Sequence, residues 1–233
     1  NKQVLEDKET GEGTIVVVED KYISVVGKST FVNNSAVIGS NYDAIKAVKM
    51  VGHIPRLSSR NCEDVLVIGF GIGVSTSAIA EHNEVDNIDC VELVPGLVET
   101  ANHYSRFNQK VYKDDRLQMI PGDGRHYLQM TSKKYDLISC DPTHPVLGSG
   151  NLYTKEYFSQ VHDRLKPEGM VSQYLPLHKL RLQDLQGIIK TFHSVFPNAS
   201  VWLGQYHAIL IGQKGNGKID FQRWKREVNQ LPK

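Results

Sequence analysis

Apolar positions along this chain change period, and the changes mark its elements. Residues 14–27, "TIVVVEDKYISVVG", hold two β-branched blocks around a polar Glu-Asp-Lys break, which predicts a hairpin. "STFVNNSAV" predicts a third strand. In "NYDAIKAVKMVGHIP" the apolar residues Ile45, Val48, Val51 and Ile54 trace one helical face, and the helix is expected to end before Pro55. From about residue 64, short apolar runs alternate with helical patterns. Strands are predicted at "DVLVIGF", "NIDCVEL", "RLQMIPGD", "KYDLISCD" and "GMVSQYLPL". Helices are predicted at "VSTSAIAEH", with Ser75 or Thr76 near its cap, and at "VPGLVETANHYSRF", "GRHYLQM", "TKEYFSQVHDRL" and "LQDLQGIIKTFHSVF". The runs "SVWLGQ" and "HAILIGQ" are too close for a crossover and predict an antiparallel hairpin, followed by a last helix in "DFQRWKREVNQL". Such alternation predicts an α/β protein with a mostly parallel sheet and helices on both faces. A small N-terminal β-hairpin region with a lead-in helix takes residues 1–60, and a Rossmann-like domain takes 61–233.

Composition narrows the field modestly. The 233 residues are 40% hydrophobic and 23% charged, ordinary for a globular chain. A net charge of +1 gives no electrostatic case for nucleic acid or an anionic membrane as partner. No apolar run nears the ~18–20 residues of a membrane span, and no signal-peptide pattern is present. Beginning at Asn1 rather than methionine, the chain reads as a processed or excised piece. Cys62, Cys90 and Cys140 lack metal-ligand spacing, so no metal is expected, and a reducing, cytoplasmic compartment fits them best.

Candidate chemistry gathers at strand ends. Pro142 and Pro145 cannot donate to a ladder, so the strand "KYDLISC" must stop by Asp141, which places that carboxylate at a carboxyl edge. Ligands of open α/β sheets bind there. "GFGIGVS" supplies Gly69, Gly71 and Gly73 in a strand-to-helix turn where backbone can approach a ligand. Val74 stands where a dinucleotide fingerprint needs its third glycine, which disfavours NAD. Glu92, ending the next strand, suits the hydroxyls of a ribose. Asp123 in "PGDGRHY" suits an adenine amine, or serves as a helix N-cap, or both. Together these describe a pocket for an adenosine-bearing ligand with an extra carboxylate, Asp141, at the reacting end.

The motifs "VLVIGFGIG", "CVEL", "GDGRHYL", "YDLISCDPTHP" and "LYTKEYF" resemble the spermidine synthase (aminopropyltransferase) family over residues 15–175, as does the lead-in "MVGHIPRL". "LGSGNLYTKEYF" and "YLPLH" resemble more closely a bacterial branch in which this domain follows a membrane-spanning, transporter-like segment. The resemblance implies a class I methyltransferase fold with a seven-stranded sheet. It further implies decarboxylated S-adenosylmethionine or S-adenosylmethionine as co-substrate, a small-molecule amine acceptor, no metal, and pairing into a homodimer through the N-terminal β-region. Glu92 would hold the ribose, Asp123 the adenine, and Asp141 would take a proton from the attacking amine as general base. Tyr153 and Gln173 would line the pocket.

Departures from the family pattern concentrate on one side of the site. Ile72 stands where the family carries an aspartate for the donor's ammonium, His144 where a second strand-end aspartate grips the acceptor, and Ala47 and Val48 where a Tyr-His pair is usual. Ile72 removes a charge that would repel the carboxylate of intact S-adenosylmethionine. His144 is a poor anchor for a polycation; it binds an anionic acceptor, joins Asp141 in proton handling, or is a loop residue pinned between prolines. "GSGNLY" forms a gate over the reacting end, or Gly148 and Gly150 serve a tight turn. Three functions therefore stand at this point: aminopropyl transfer, methyl transfer on the same fold, and a non-catalytic nucleoside-binding domain governing an attached membrane segment.

Overall fold

The computed structural model describes residues 2–20, 27–141, 149–217 and 220–229. Its first unit is an antiparallel sheet in chain order, β1 (Lys2–Thr10), β2 (Gly13–Asp20), β3 (Gly27–Val32) and β4 (Ser35–Gly39). Residues 21–26, expected to open the second strand of the hairpin, lie outside the described residues. "STFVNNSAV" makes two strands rather than one. Asn33 and Asn34 turn between them at φ 48° and 62°, a left-handed pair that asparagine tolerates and a tight hairpin requires. β1 had no apolar signal because it is a sheet edge with polar side chains. Those side chains find partners instead: Glu6 accepts from His103 at 2.7 Å, and Lys8 pairs with Glu99.

Helix α1 (Tyr42–Ser58) opens on Asn41, whose side chain accepts from the Ala44 amide at 2.9 Å. It does not stop before Pro55 but runs three residues beyond it. Proline leaves only the Val51 carbonyl without its helical donor, and the Ser172 hydroxyl lies 3.5 Å from that oxygen. α1 packs closely on α2 (Val74–Ala80) at Gly52, where an added methyl would fall 2.5 Å from the Ser75 carbonyl oxygen and 2.8 Å from Ala78 Cβ. Gly52→Ala is therefore expected to cost ~1–3 kcal/mol of unfolding free energy in urea melts, by overpacking. Gly187→Ala, on an open helical surface, should be neutral or mildly stabilising.

The second sheet has seven strands. β5 (Asp64–Ile68), β6 (Asn87–Glu92), β7 (Leu117–Pro121), β8 (Tyr135–Cys140) and β9 (Leu165–Pro176) run parallel. β10 (Ser200–Leu203) and β11 (His207–Gln213) close it as the expected antiparallel hairpin. Across the sheet the order is β10-β11-β9-β8-β5-β6-β7. Helices cover both faces, so the central strands are apolar on both. Val65 and Val67 join the cluster that holds Val51, Ile54 and Ile79, while Leu66 and Ile68 join Leu128, Phe158 and Phe192 on the other side. Pro121 is tolerated because β7 is an edge strand. Cys62, Cys90 and Cys140 are free and buried, and burial pushes the thiols of Cys62 and Cys140 up to about 12.

One expected helix is broken. "VPGLVETANHYSRF" forms α3 (Gly96–Thr100), a 3-10 turn (Ala101–Tyr104) and α4 (Ser105–Asn108). Side chains take over backbone acceptors there: Thr100 Oγ1 donates to Leu97 O and Asn108 Nδ2 to Ala101 O, at 2.9 and 2.8 Å. The remaining helices are α5 (Gly124–Met130), α6 (Lys155–Arg164), α7 (Leu182–Val195) and α8 (Phe221–Val228). Among the described residues, no helix is long and apolar enough to cross a membrane.

Candidate active site

Neighbouring parallel strands deliver the expected residues to one edge. Ile68 of β5 pairs with Val91 of β6 on one side and Cys140 of β8 on the other, and Glu92 pairs with Pro121. The chain therefore leaves β5 in one direction and returns at β8 in the other, which creates a crevice at the carboxyl edge. The glycine turn and Asp141 flank that point.

Gly69, Gly71 and Gly73 all take positive φ, at 92°, 56° and 78°. Gly73 is the N-cap of α2, and a methyl there would fall 2.6 Å from the Phe70 ring. Neither Ser75 nor Thr76 caps this helix; both are fully buried in its first turn. Glu92 closes the turn from below. Its Oε2 accepts from the amides of Phe70 and Gly71 at 2.7 and 3.0 Å, and Oε1 from Val94 at 2.9 Å. Burial raises its pKa against the pull of those amides. Beside any contact with a ligand, then, this carboxylate ties the glycine turn to the end of β6.

Asp141 is 3% exposed, and its amide donates to the Ile68 carbonyl at 3.0 Å. Its Oδ1 has no hydrogen-bond partner. Burial pushes the carboxyl up to about 7, the charge of Glu92 adds to the rise, and the Ser75 hydroxyl tempers it. Asp123, by contrast, is exposed and caps α5, accepting from His126 N at 2.9 Å through Oδ1. The capping half of its expected role is thus visible.

Gln173 is fully buried, pairs with Cys140 in register, and leaves its amide oxygen without a partner. Tyr153, half-buried, packs against the core and donates to the Tyr174 carbonyl at 3.4 Å. It ends the 3-10 turn Ser149–Tyr153, which is the described part of the expected gate. Ile72, expected to line the substrate pocket, instead faces inward. It is 1% exposed and packs with Val17, Val48 and Tyr104, because an apolar side chain at this position completes the cluster between β2 and α1. His144 lies outside the described residues.

A cavity of about 570 Å³ opens beside Asp141. Its walls include Asp43 and Val48 of α1, Tyr174 of β9, His178 and His207. Tyr174 Oη lies 2.5 Å from His207 Nδ1, and the His178 ring meets His207 edge-on at 5.5 Å. Burial and the charge of Asp141 raise the Tyr174 phenol, while burial and His178 hold the His207 imidazole below its ordinary value. Sequence reasoning passed over this polar group. A signal existed nonetheless: Tyr174 lies near the carboxyl end of β9, and His207 begins β11, which runs the other way, so both reach the edge where Asp141 lies. Among the described residues, no cluster of three or more His, Cys, Asp or Glu side chains is arranged to hold a metal.

Parallel strands that gather a glycine turn and buried carboxylates around a switch point define a Rossmann-like protein of the methyltransferase type. The fold is shared with a spermidine synthase crystallised with the transition-state analogue AdoDATO (TM-score 0.86, 22% identity, 99% of this chain and 80% of that one). It is shared more loosely with human methyltransferase-like protein 13 in complex with SAH (TM-score 0.61, 22% identity, 82% and 92%). Within that class, the chain belongs to the spermine/spermidine synthase domain family, whose model matches residues 45–213. It is 32% identical over 200 residues to the polyamine aminopropyltransferase of Korarchaeum cryptofilum, covering 85% of this chain and 61% of that protein. The chain thus spans about three fifths of that relative's length.

Proposed function

We propose that this chain is a transferase domain that moves an aminopropyl group from decarboxylated S-adenosylmethionine to a small amine, with Asp141 as the general base. The observation that carries the proposal is the placement of Asp141: a buried carboxyl near pKa 7, between the glycine turn and an open cavity. Family membership and the named activity of the Korarchaeum relative support the same chemistry.

Each residue has a physical task in this reading. The glycine turn lets the donor's backbone-facing side approach without a Cβ in the way. Glu92, besides ordering that turn, meets the ribose hydroxyls at the rim, and the free oxygen of Asp123 accepts from the adenine amine. Tyr153 and Gln173 line the reacting end. Aliphatic amines of pKa near ~10 are almost wholly protonated at neutral pH, so the acceptor needs a base beside it. Asp141 takes one proton from the ammonium. The freed nitrogen pair forms the new N–C bond, the C–S bond breaks, and its electrons neutralise the sulfonium to give methylthioadenosine. The donor is already activated, so alignment and deprotonation supply most of the catalysis.

Methyl transfer from intact S-adenosylmethionine is the second reading, favoured by one observation: no carboxylate stands at Ile72 to repel the donor's own. Incubating the protein with each donor and a panel of amines separates the readings by product mass. Methylthioadenosine with an aminopropylated amine is the expected result. S-adenosylhomocysteine would replace the proposal with methylation, and binding without turnover would leave a regulatory nucleoside-binding domain.

A further inference from the structure

We infer that Tyr174 holds the reacting nitrogen of the acceptor beside Asp141, and that His207 is the positioning residue that aims the Tyr174 hydroxyl for this task. The inference deepens the transferase reading and rests on it for the identity of the site.

Tyr174 and Asp141 line one cavity, and the charge of Asp141 acts on the Tyr174 phenol. A phenol hydroxyl has one proton and can otherwise only accept. Where that proton goes decides what the oxygen offers a ligand. His207 Nδ1 lies 2.5 Å away and is able to take it. Phenol is the stronger donor of the pair and neutral imidazole nitrogen the stronger acceptor, so Tyr174 donates and His207 carries its own proton on Nε2. The imidazole is kept neutral by burial and by His178, against the opposing charge of Asp43. With its proton committed to His207, the Tyr174 oxygen presents lone pairs alone. That suits an ammonium or amine N–H and no anion. Val48 of α1 also lines this cavity and offers no polar contact, while the Asp43 carboxylate in the same lining suits a second charged end of the acceptor. An acceptor nitrogen then bridges two acceptors of different kinds: the Asp141 carboxylate that takes its proton and the Tyr174 oxygen that keeps it in line.

The role of His207 is indirect, so its substitutions separate orientation from bulk. Tyr174→Phe is expected to weaken the binding of 1,4-diaminobutane, measured by calorimetry with methylthioadenosine present, by about tenfold, the loss of one hydrogen bond to a charged group. Donor KM should stay unchanged while acceptor KM rises by a similar factor. His207→Phe should reproduce the effect, and adding it to Tyr174→Phe should change nothing further. His207→Gln, whose amide oxygen can take the phenol proton, should restore most of the affinity. A merely structural His207 would not give this rescue or this non-additivity. Turnover by the unaltered protein with unchanged acceptor KM in a folded Tyr174→Phe variant would overturn the inference and leave the transferase reading standing. Diamine binding that depends on Tyr174 without any turnover would overturn the transferase reading and, with it, the assignment of a reacting nitrogen, leaving Tyr174 as an amine-binding residue only. Failure of the unaltered protein to bind the diamine would overturn both.

Discussion

Asp141→Asn is expected to lower turnover by ~10²–10⁴-fold, the usual worth of a positioned general base, while donor affinity changes little. The residue is buried at the crevice between β5 and β8, and its carboxyl ionises near 7 rather than in the ordinary carboxylate range. A base works only when deprotonated, so kcat/KM of the unaltered protein should rise with pH and level off above a midpoint near 7. The Asn variant should lose that limb. The same raised pKa bears on stability with the opposite sign. An acid whose pKa is raised on folding favours the folded state only while it keeps its proton. Its contribution is present below about pH 4 and is lost as pH rises to about 7. At pH 8 the buried charge costs at most on the order of 4 kcal/mol, the free energy of moving a carboxyl from its ordinary range to about 7. Asparagine escapes that cost. Urea melts should find Asp141→Asn more stable than the unaltered protein at pH 8 and nearly equal to it at pH 4. Undiminished turnover in the variant would remove Asp141 from the chemistry.

Glu92→Ala should be among the most destabilising single changes in the chain. It strips the acceptor from the buried amides of Phe70, Gly71 and Val94, and each orphaned donor costs ~1–3 kcal/mol. A loss on the order of 3–5 kcal/mol in urea melts is expected. Affinity for methylthioadenosine should fall well beyond the tenfold of one lost hydrogen bond, because the turn that frames the ligand is no longer held. Glu92→Gln separates charge from hydrogen bonding. Its oxygen still serves two amides, but its NH₂ faces the third, so stability should fall by less. Removing the charge should also relieve Asp141, whose carboxyl Glu92 helps to raise, and the pH midpoint of kcat/KM should move downward. A midpoint that stays in place would mean that the two carboxylates do not sense each other.

Much of the fold was legible because its signals are local. A buried strand such as "DVLVI" reads as apolar on both faces, and "GRHYLQM" carries its own cap in Asp123. Where a signal depended on a neighbour, it misled. Pro55 normally ends a helix, yet α1 continues, and the carbonyl that the proline leaves without a donor has the Ser172 hydroxyl of β9, remote in sequence, 3.5 Å away. The polar β1 gives no strand signal of its own, and its place shows only once the rest of its sheet and the side chains of His103 and Glu99 are present. The stretch 94–107 keeps helical periodicity but breaks where Thr100 and Asn108 compete for carbonyls.

The candidate site divides the same way. Chain order alone assigned Gly69, Gly71, Gly73, Glu92, Asp123 and Asp141 to strand ends, because proline, glycine and period-two apolar runs mark where a strand stops. That those ends share one edge follows from their being parallel. The sequence could not say that Glu92 spends its oxygens on the glycine turn, that Ile72 turns into the core, or that Tyr174 meets His207 across two antiparallel strands. Those facts concern the direction of side chains and partners far along the chain, 33 residues apart for Tyr174 and His207. Such contacts exist only once the sheet has closed.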